Sequence, residues 1–549
     1  MKRRSVIKGL SFLPFAGGLF SAKSVLAAPA DEIVPGGAII PSLDNQLPFE
    51  TNIFRSIGVE PIINCRGTFT IIGGSVERPE VRAAMEAASK DFVQYDELAD
   101  GIGKRLAELT GAEWGMVSAG CAAGMKHVTA ACVTGGNPEK LIRIPNLDGF
   151  DKTEVVIPRS SRNVYDHAIR NIGVKIIDVD TLEELENALN SRTAMIYMMA
   201  FSESEPDQPI SLEKVAALAK PRNIPILVDA AAEILTIPNS HLQRGATVVV
   251  YSGGKAICGP QCAGLVLGRK DILMSAWQAS SPHHGPGRDN KVGREEMMGM
   301  LAAVDAWGKR DHKGEWKTWL SWLDNISKRV STIDGIKASV FEPTDLSNHS
   351  PVLNITWDPA KLNITGEEVA EEFGKTKPRI AIGGESSKDG TTSISITTGQ
   401  MQPGNDKIVA DRVFDILSQK RSPKAASMAA PAATLSGRWD ATIEFFSSKS
   451  LHALFIEQDG NWIEGSHKGD FSTRELAGSI EGNFIKLRSV DRHTADSITF
   501  TFSGTVSNDV ISGQIHMGEY RTASFTAKRS KKKGLRKPIL VPSGPPLAT

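Results

Sequence analysis

Cysteine is scarce in this 549-residue chain, and none of it is spaced to hold a metal. The five cysteines (Cys65, Cys121, Cys132, Cys258, Cys262) include no CxxC pair and no zinc-type arrangement. No metal site is expected from them. Cys258 and Cys262 flank one loop and are a conceivable pair in an oxidising compartment, but folding before export favours free thiols. Net charge is also missing, with 63 basic against 63 acidic residues. A neutral chain offers no general surface for a polyanion, which argues against a nucleic-acid substrate. No apolar run is long enough to cross a membrane as a helix: Gly9–Phe20 is short and glycine-rich. The remaining composition, 41% hydrophobic and 23% charged, suits a soluble chain with more than one core.

The ends carry separate signals. Arg3-Arg4-Ser5-Val6-Ile7-Lys8, the mildly apolar Gly9–Phe20, Lys23 and Ala28-Pro29-Ala30 read as a twin-arginine signal peptide cleaved after Ala30. The twin-arginine export machinery is then a partner, and the mature chain is expected in the periplasm. At the other end, Lys528–Lys537 holds seven positive charges in ten residues. Such a run reads as a solvated tail, with anionic lipid or cell-wall polymer as the alternative contact.

Three local patterns stand out between the ends. Thr247-Val248-Val249-Val250 reads as a buried strand, and Ser252-Gly253-Gly254-Lys255 follows it in a small-residue loop closed by Gly259-Pro260. Lysine is costly to desolvate, so an amine held at the end of a core strand suggests a nucleophile; a surface loop lysine is the plainer reading. Asp229 ends the apolar run Ile224–Val228 and precedes three alanines. A carboxylate there suits a flat cationic ring, or else caps the next helix. Trp114–Met125 reads as a strand, a small-residue turn through Gly120, Cys121 and Ala122, and a helix start. Its free N–H groups would make a phosphate seat. It has neither the Walker nor the dinucleotide glycine pattern.

Taken in order, these motifs resemble pyridoxal-phosphate (PLP) enzymes of fold type I, in the group around bacterial selenocysteine synthase, L-seryl-tRNA(Sec) selenium transferase. That group also contains sugar-amino-acid ammonia-lyases and racemase-like proteins. The resemblance spans about residues 52 to 417. It rests on Arg55–Asn64, Ser118–Gly124, Val228-Asp229-Ala230, Ser252–Lys255 with Gly259–Gly264, and Gly287–Val292. It implies PLP as cofactor, with Lys255 as the Schiff-base lysine and Asp229 pairing with the pyridine nitrogen. Gly120, Cys121 and Ala122 would hold the phosphate by backbone, with Ser252 as a further donor, and His167 falls where this fold stacks a side chain on the ring. Arg288, Lys291 and Arg379 are candidates for substrate binding. The resemblance implies Cα deprotonation of a small amino acid or amino sugar acid, ending in α,β-elimination with loss of ammonia; racemisation, selenium-type transfer and a catalytically silent binding protein are the alternatives. A homodimer or higher homo-oligomer is expected. The short N-terminal segment leaves no room for a tRNA-binding domain, so tRNA is not the expected substrate.

The alternation of strands and amphipathic helices predicts an α/β fold with a mainly parallel sheet. Residues 1–30 are read as signal peptide and 31–50 as a polar segment. A large PLP-binding domain is placed at 51–320 and a small α/β domain at 321–420. A Pro/Ala/Ser linker at 421–435 precedes an antiparallel β barrel or sandwich at 436–530, then a basic, proline-containing tail at 531–549. The β domain is read as a binding or assembly module, for which a small apolar ligand, cover over the active site and oligomerisation are all open.

Overall fold

The computed structural model describes residues 52–201, 205–386, 390–423, 427–491 and 498–530. Residues 1–50, where a signal peptide and a polar segment are expected, and the tail from 531 lie outside the described residues. Residues 52–60 belong to a separate unit, in which a 3-10 turn at Arg55–Ile57 is accompanied by an Arg55–Glu60 ion pair of 2.9 Å.

The β-branched and apolar runs of the sequence form one buried sheet. In chain order, β1 is Ile62–Asn64, β2 Trp114–Ser118, β3 Glu154–Pro158, β4 Lys175–Val179, β5 Thr193–Met199, β6 Ile226–Asp229, β7 Val248–Ser252 and β8 Gly264–Gly268. Seven of these make a sheet of order β2-β8-β7-β6-β5-β3-β4. The β4-β3-β5-β6-β7 pairings are parallel, and β8 is antiparallel to both its neighbours. The sheet is therefore mainly parallel, and β2, β6 and β7 all end at the same edge. That edge, beyond the carboxyl ends of the strands, is where such sheets bind ligands.

A second core packs around an antiparallel sheet of β9 (Lys337–Phe341), β10 (Val352–Trp357), β12 (Gly383–Ser386) and β13 (Thr392–Thr397), with helices Gly366–Lys375 and Asn405–Leu417. The short β11 (Arg379–Ala381) pairs instead with β1, in parallel. Just after β1, Cys65 is buried in this core. The helix His312–Val330 links the two regions.

The third core is a closed antiparallel barrel of eight strands: β14 Gly437–Glu444, β15 Lys449–Asp459, β16 Trp462–Lys468, β17 Thr473–Glu481, β18 Phe484–Val490, β19 Phe500–Ser507, β20 Val510–Met517 and β21 Tyr520–Arg529. Each strand pairs with the next, and β14 pairs with β21, so no edge is left open. Gly460, Gly482 and Gly518 have positive φ at the hairpin turns. The guanidinium of Arg529 stacks over buried Trp439 at 4.4 Å and donates to Ser436 O and Thr434 O, which closes one end. Trp439, Ile463, Ile480, Leu487, Phe502 and Phe525 fill the interior.

Candidate active site

The turn after β2 is shaped by glycine. Gly120 opens the helix Gly120–Thr134 with φ +84°, and no side chain caps this end. The first N–H groups of a helix have no partner within it, so those of Gly120, Cys121 and Ala122 are offered outward. Gly264, the first residue of β8, lies directly beneath. A Cβ there would sit 2.4 Å from the Gly120 carbonyl carbon and 2.7 Å from the Cys121 nitrogen. The seat depends on both glycines.

Asp229 ends β6 and is 5% exposed. Its Oδ1 accepts from the Ala231 N–H at 3.0 Å and from the Cys121 thiol at 3.4 Å. Its Oδ2 accepts from the Tyr197 hydroxyl of β5 at 3.0 Å. All three donors are neutral, and among the described residues no cation is paired with this buried carboxylate. An unpaired buried charge is expensive. A cationic ring N–H fits the missing partner.

Lys255 stands in the turn after β7, next strand to β6. Gly253 N donates to Ala263 O and Gly259 N to Gly253 O, both at 2.8 Å, which knots the turn. A Cβ on Gly253 would meet Ala263 O at 2.6 Å, and one on Gly254 would meet the Gln261 Cα at 2.7 Å. Lys255 is half-buried, and among the described residues no hydrogen bond or ion pair engages its amine. Its charge and that of Asp229 both reach the Cys121 thiol, from opposite signs. The helix start, the aspartate and the lysine thus converge on one place, with Ser252 closing β7 beside them.

Other expected residues fall elsewhere. His167 is exposed, and no hydrogen bond or ring contact ties it to Asp229, Cys121 or Lys255 among the described residues. Arg379 donates to Gly374 O at 2.7 Å, fastening β11 to the preceding helix. Arg288 and Lys291 are exposed, with Arg288 reaching Ser281 Oγ at 3.3 Å. Glu233 holds buried His241 at 2.6 Å. The two nitrogens of His283 engage Asp96 and the Trp277 carbonyl. All five cysteines are free.

The structure adds residues that sequence reading missed. Asn64 organises the following loop by donating to Gly67 O and accepting from Arg66 N and Gly67 N. Ser75 N then donates to Gly254 O at 2.9 Å, laying this loop on the lysine turn. Buried Lys126 grips Asp289 at 2.8 Å and Asn290 at 3.0 Å, pinning the 281–292 loop to the phosphate helix. Beside Ala256 and Ala232 opens a cavity of about 780 Å³, walled by Phe69, Trp316 and Trp319 and edged by Arg66, Lys313 and Lys317. Trp316, Trp319 and Trp322 recur at the spacing of a buried helix face, yet the first two line this cavity.

Comparison with known proteins agrees with this geometry. The pattern of the Cys/Met metabolism PLP-dependent enzyme family matches residues 96–307. D-glucosaminate-6-phosphate ammonia lyase of Salmonella typhimurium is 30% identical over 298 residues, 53% of this chain and 78% of that one. A solved structure of D-glucosaminate-6-phosphate ammonia-lyase superposes with a TM-score of 0.59 at 25% identity, covering 67% of this chain and 98% of that one. The 5'-C-glycyluridine monooxygenase-decarboxylase of a Streptomyces species is 26% identical over 69% of this chain and 95% of its own. L-seryl-tRNA(Sec) selenium transferase of Proteus mirabilis is 26% identical over 46% of this chain and 56% of its own. With the uncapped helix start, the buried aspartate and the strand-end lysine in register, this chain belongs to the fold-type I PLP-dependent enzymes, in the group that includes the ammonia lyase and the selenium transferase.

Proposed function

We propose that the protein is a lyase that removes the Cα proton of a small amino acid or amino sugar acid and eliminates the group on Cβ. The observation that carries this is the convergence of the Gly120 helix start, Asp229 and Lys255; the cavity of about 780 Å³ reaches this place at Ala256, the residue after the lysine. PLP, when bound, supplies an electron sink for charge developing at Cα. The N–H groups of Gly120, Cys121 and Ala122, with the Ser252 hydroxyl, would hold its phosphate. Asp229 balances the charge of its ring nitrogen. Lys255 Nζ is the base: it takes the Cα proton and returns one to the group departing from Cβ with its bonding electron pair. The unsaturated amine that results rearranges and hydrolyses to a 2-keto acid and ammonia.

The Asn64–Ser75 loop covers the lysine turn and keeps bulk water from the basic amine. Arg66, Lys313 and Lys317 have no acidic partner among the described residues, so they suit an anionic end of the substrate. Arg288 and Lys291, exposed in one chain, and His167 are assigned to a site completed by a second copy. The twin-arginine reading of residues 1–30 supports a periplasmic enzyme.

Two measurements test the assignment. The loaded protein is expected to absorb at about 420 nm and to be trapped at position 255 by borohydride. A panel of amino acids and amino sugar acids is expected to yield ammonia and keto acid, with activity lost by at least about a thousandfold in Lys255→Ala. Protein that stays colourless after reconstitution sinks the reading. Stereochemical inversion of a substrate without ammonia release would make it a racemase.

A further inference from the structure

The carboxylate of Asp229 is unusual in what surrounds it. Besides the Ala231 N–H, it is held by a thiol from the phosphate helix and a phenol from the neighbouring strand, at 3.4 and 3.0 Å. The direction of each bond is fixed. Asn163 Oδ1 accepts from the Tyr165 N–H at 2.8 Å, so its Nδ2 is the atom that donates to Tyr197 Oη at 3.0 Å. The Tyr197 hydroxyl therefore accepts from Asn163, and its own proton is committed to Asp229. Tyr197 is fully buried, and burial, then the Asp229 charge, pushes its phenol well above the usual range. Cys121 is 8% exposed; burial first and Asp229 second push its thiol well up, while Lys255 opposes this more weakly. Both groups stay protonated, and towards Asp229 both act as donors.

We propose that Cys121 and Tyr197 are positioning residues that keep Asp229 ionised, so that the proton shared between this carboxylate and the cofactor's ring nitrogen stays on the ring. The proposal rests on the functional reading above. Its logic is local: donors aimed at a carboxylate favour the charged form, and a buried carboxylate stripped of donors recovers the proton instead. The titratable groups facing Asp229 are Cys121 from the helix, Tyr197 from β5 and Lys255, whose charge reaches the same thiol, from the turn. Cys121 serves twice, its backbone N–H towards the phosphate seat and its thiol towards the ring aspartate. One residue therefore couples the two ends of the cofactor site. A serine in its place keeps a donor; an alanine does not.

The test is nitrogen NMR of full-length protein reconstituted with PLP labelled with 15N in the ring. In the wild type the ring nitrogen is expected at the protonated position. Tyr197→Phe, which removes one atom, and Cys121→Ala are each expected to move the protonation equilibrium at least about tenfold towards the neutral ring, as for one lost bond to a charged group. Cys121→Ser is expected to restore the wild-type position. With substrate, kcat falls in step while KM stays within about twofold. An unchanged 15N position in folded, cofactor-loaded Tyr197→Phe and Cys121→Ala overturns the proposal. A wild-type protein that takes up no cofactor overturns the functional reading and this inference with it.

Discussion

A single methyl group decides whether the phosphate seat survives. Gly264 lies under the first turn of the Gly120–Thr134 helix, and the atoms its Cβ would strike are backbone: Gly120 C and O and Cys121 N, at 2.4, 2.6 and 2.7 Å. Backbone cannot rotate away as a side chain can, so Gly264→Ala must lift the helix start from the sheet. PLP affinity is expected to fall at least about tenfold, since the donors there lose their aim. Gly308→Ala is the control, because a Cβ at that position would meet nothing within 4 Å and φ is ordinary. Fluorescence titration with PLP checks both, and equal affinities in the two variants would refute the role given to Gly264. The other backbone demand of the site is legible in the same way: Gly253 and Gly254 leave Lys255 at the end of β7 because any larger residue meets Ala263 or Gln261.

At the scale of elements, the Asn64–Ser75 loop is expected to serve the substrate rather than the cofactor. Its shape depends on one side chain, since Asn64 both donates to Gly67 O and accepts from Arg66 N and Gly67 N. Asn64→Ala is expected to raise KM several-fold and to lower stability by about 1–2 kcal/mol, the range for lost, partly buried hydrogen bonds. PLP affinity is expected to stay near wild type; steady-state kinetics with PLP titration checks the split. This loop also shows where sequence reading stops. Lys255, Asp229 and the Gly120 turn were legible because each is written locally, as an apolar strand that ends in small residues and one chemical group. Tyr197 was not, because only the order β5-β6-β7 brings its hydroxyl to Asp229. Trp316 and Trp319 have the period of a buried helix face, and the cavity they line is made by residues from distant segments. Strand β8, Gly-Leu-Val-Leu-Gly, is hard to read locally because its apolar run is short and bounded by glycine. Strand β17 is hard to read because Leu476 and Ile480 are the only large apolar residues of Thr473–Glu481.

For the whole molecule, three cores are joined in one chain, and two of them bury neutral imidazole. His127 lies inside the large α/β core with neither ring nitrogen hydrogen-bonded, and burial, helped by the Lys126 charge, pushes it down to about 3. In the barrel, His467 Nε2 meets His452 Nδ1 at 2.7 Å, and its Nδ1 meets Ser489 Oγ at 2.8 Å. Burial, then His452 and Arg474, pushes His467 down to about 3 as well, and burial lowers His452. Two imidazoles in one hydrogen bond hold one proton between them, so charging both places like charges inside the barrel. The sign follows from the depressed values. His127 and His467 each bind a proton more readily unfolded than folded, so the stabilising contribution of each is complete above the unfolded value of about 6.5 and is lost as pH falls towards about 3. Within that window each histidine is expected to lower unfolding free energy by about 1.4 kcal/mol per pH unit. Carboxylates add to the slope below about pH 5, so the wild type must be compared with His467→Asn and with His127→Asn in denaturant melts between about pH 7 and pH 4. Because the barrel closes on its own core, His467→Asn is expected to flatten the pH dependence of the barrel transition alone, and His127→Asn that of the catalytic region. Parallel slopes in all three proteins would show that neither imidazole is the group being protonated.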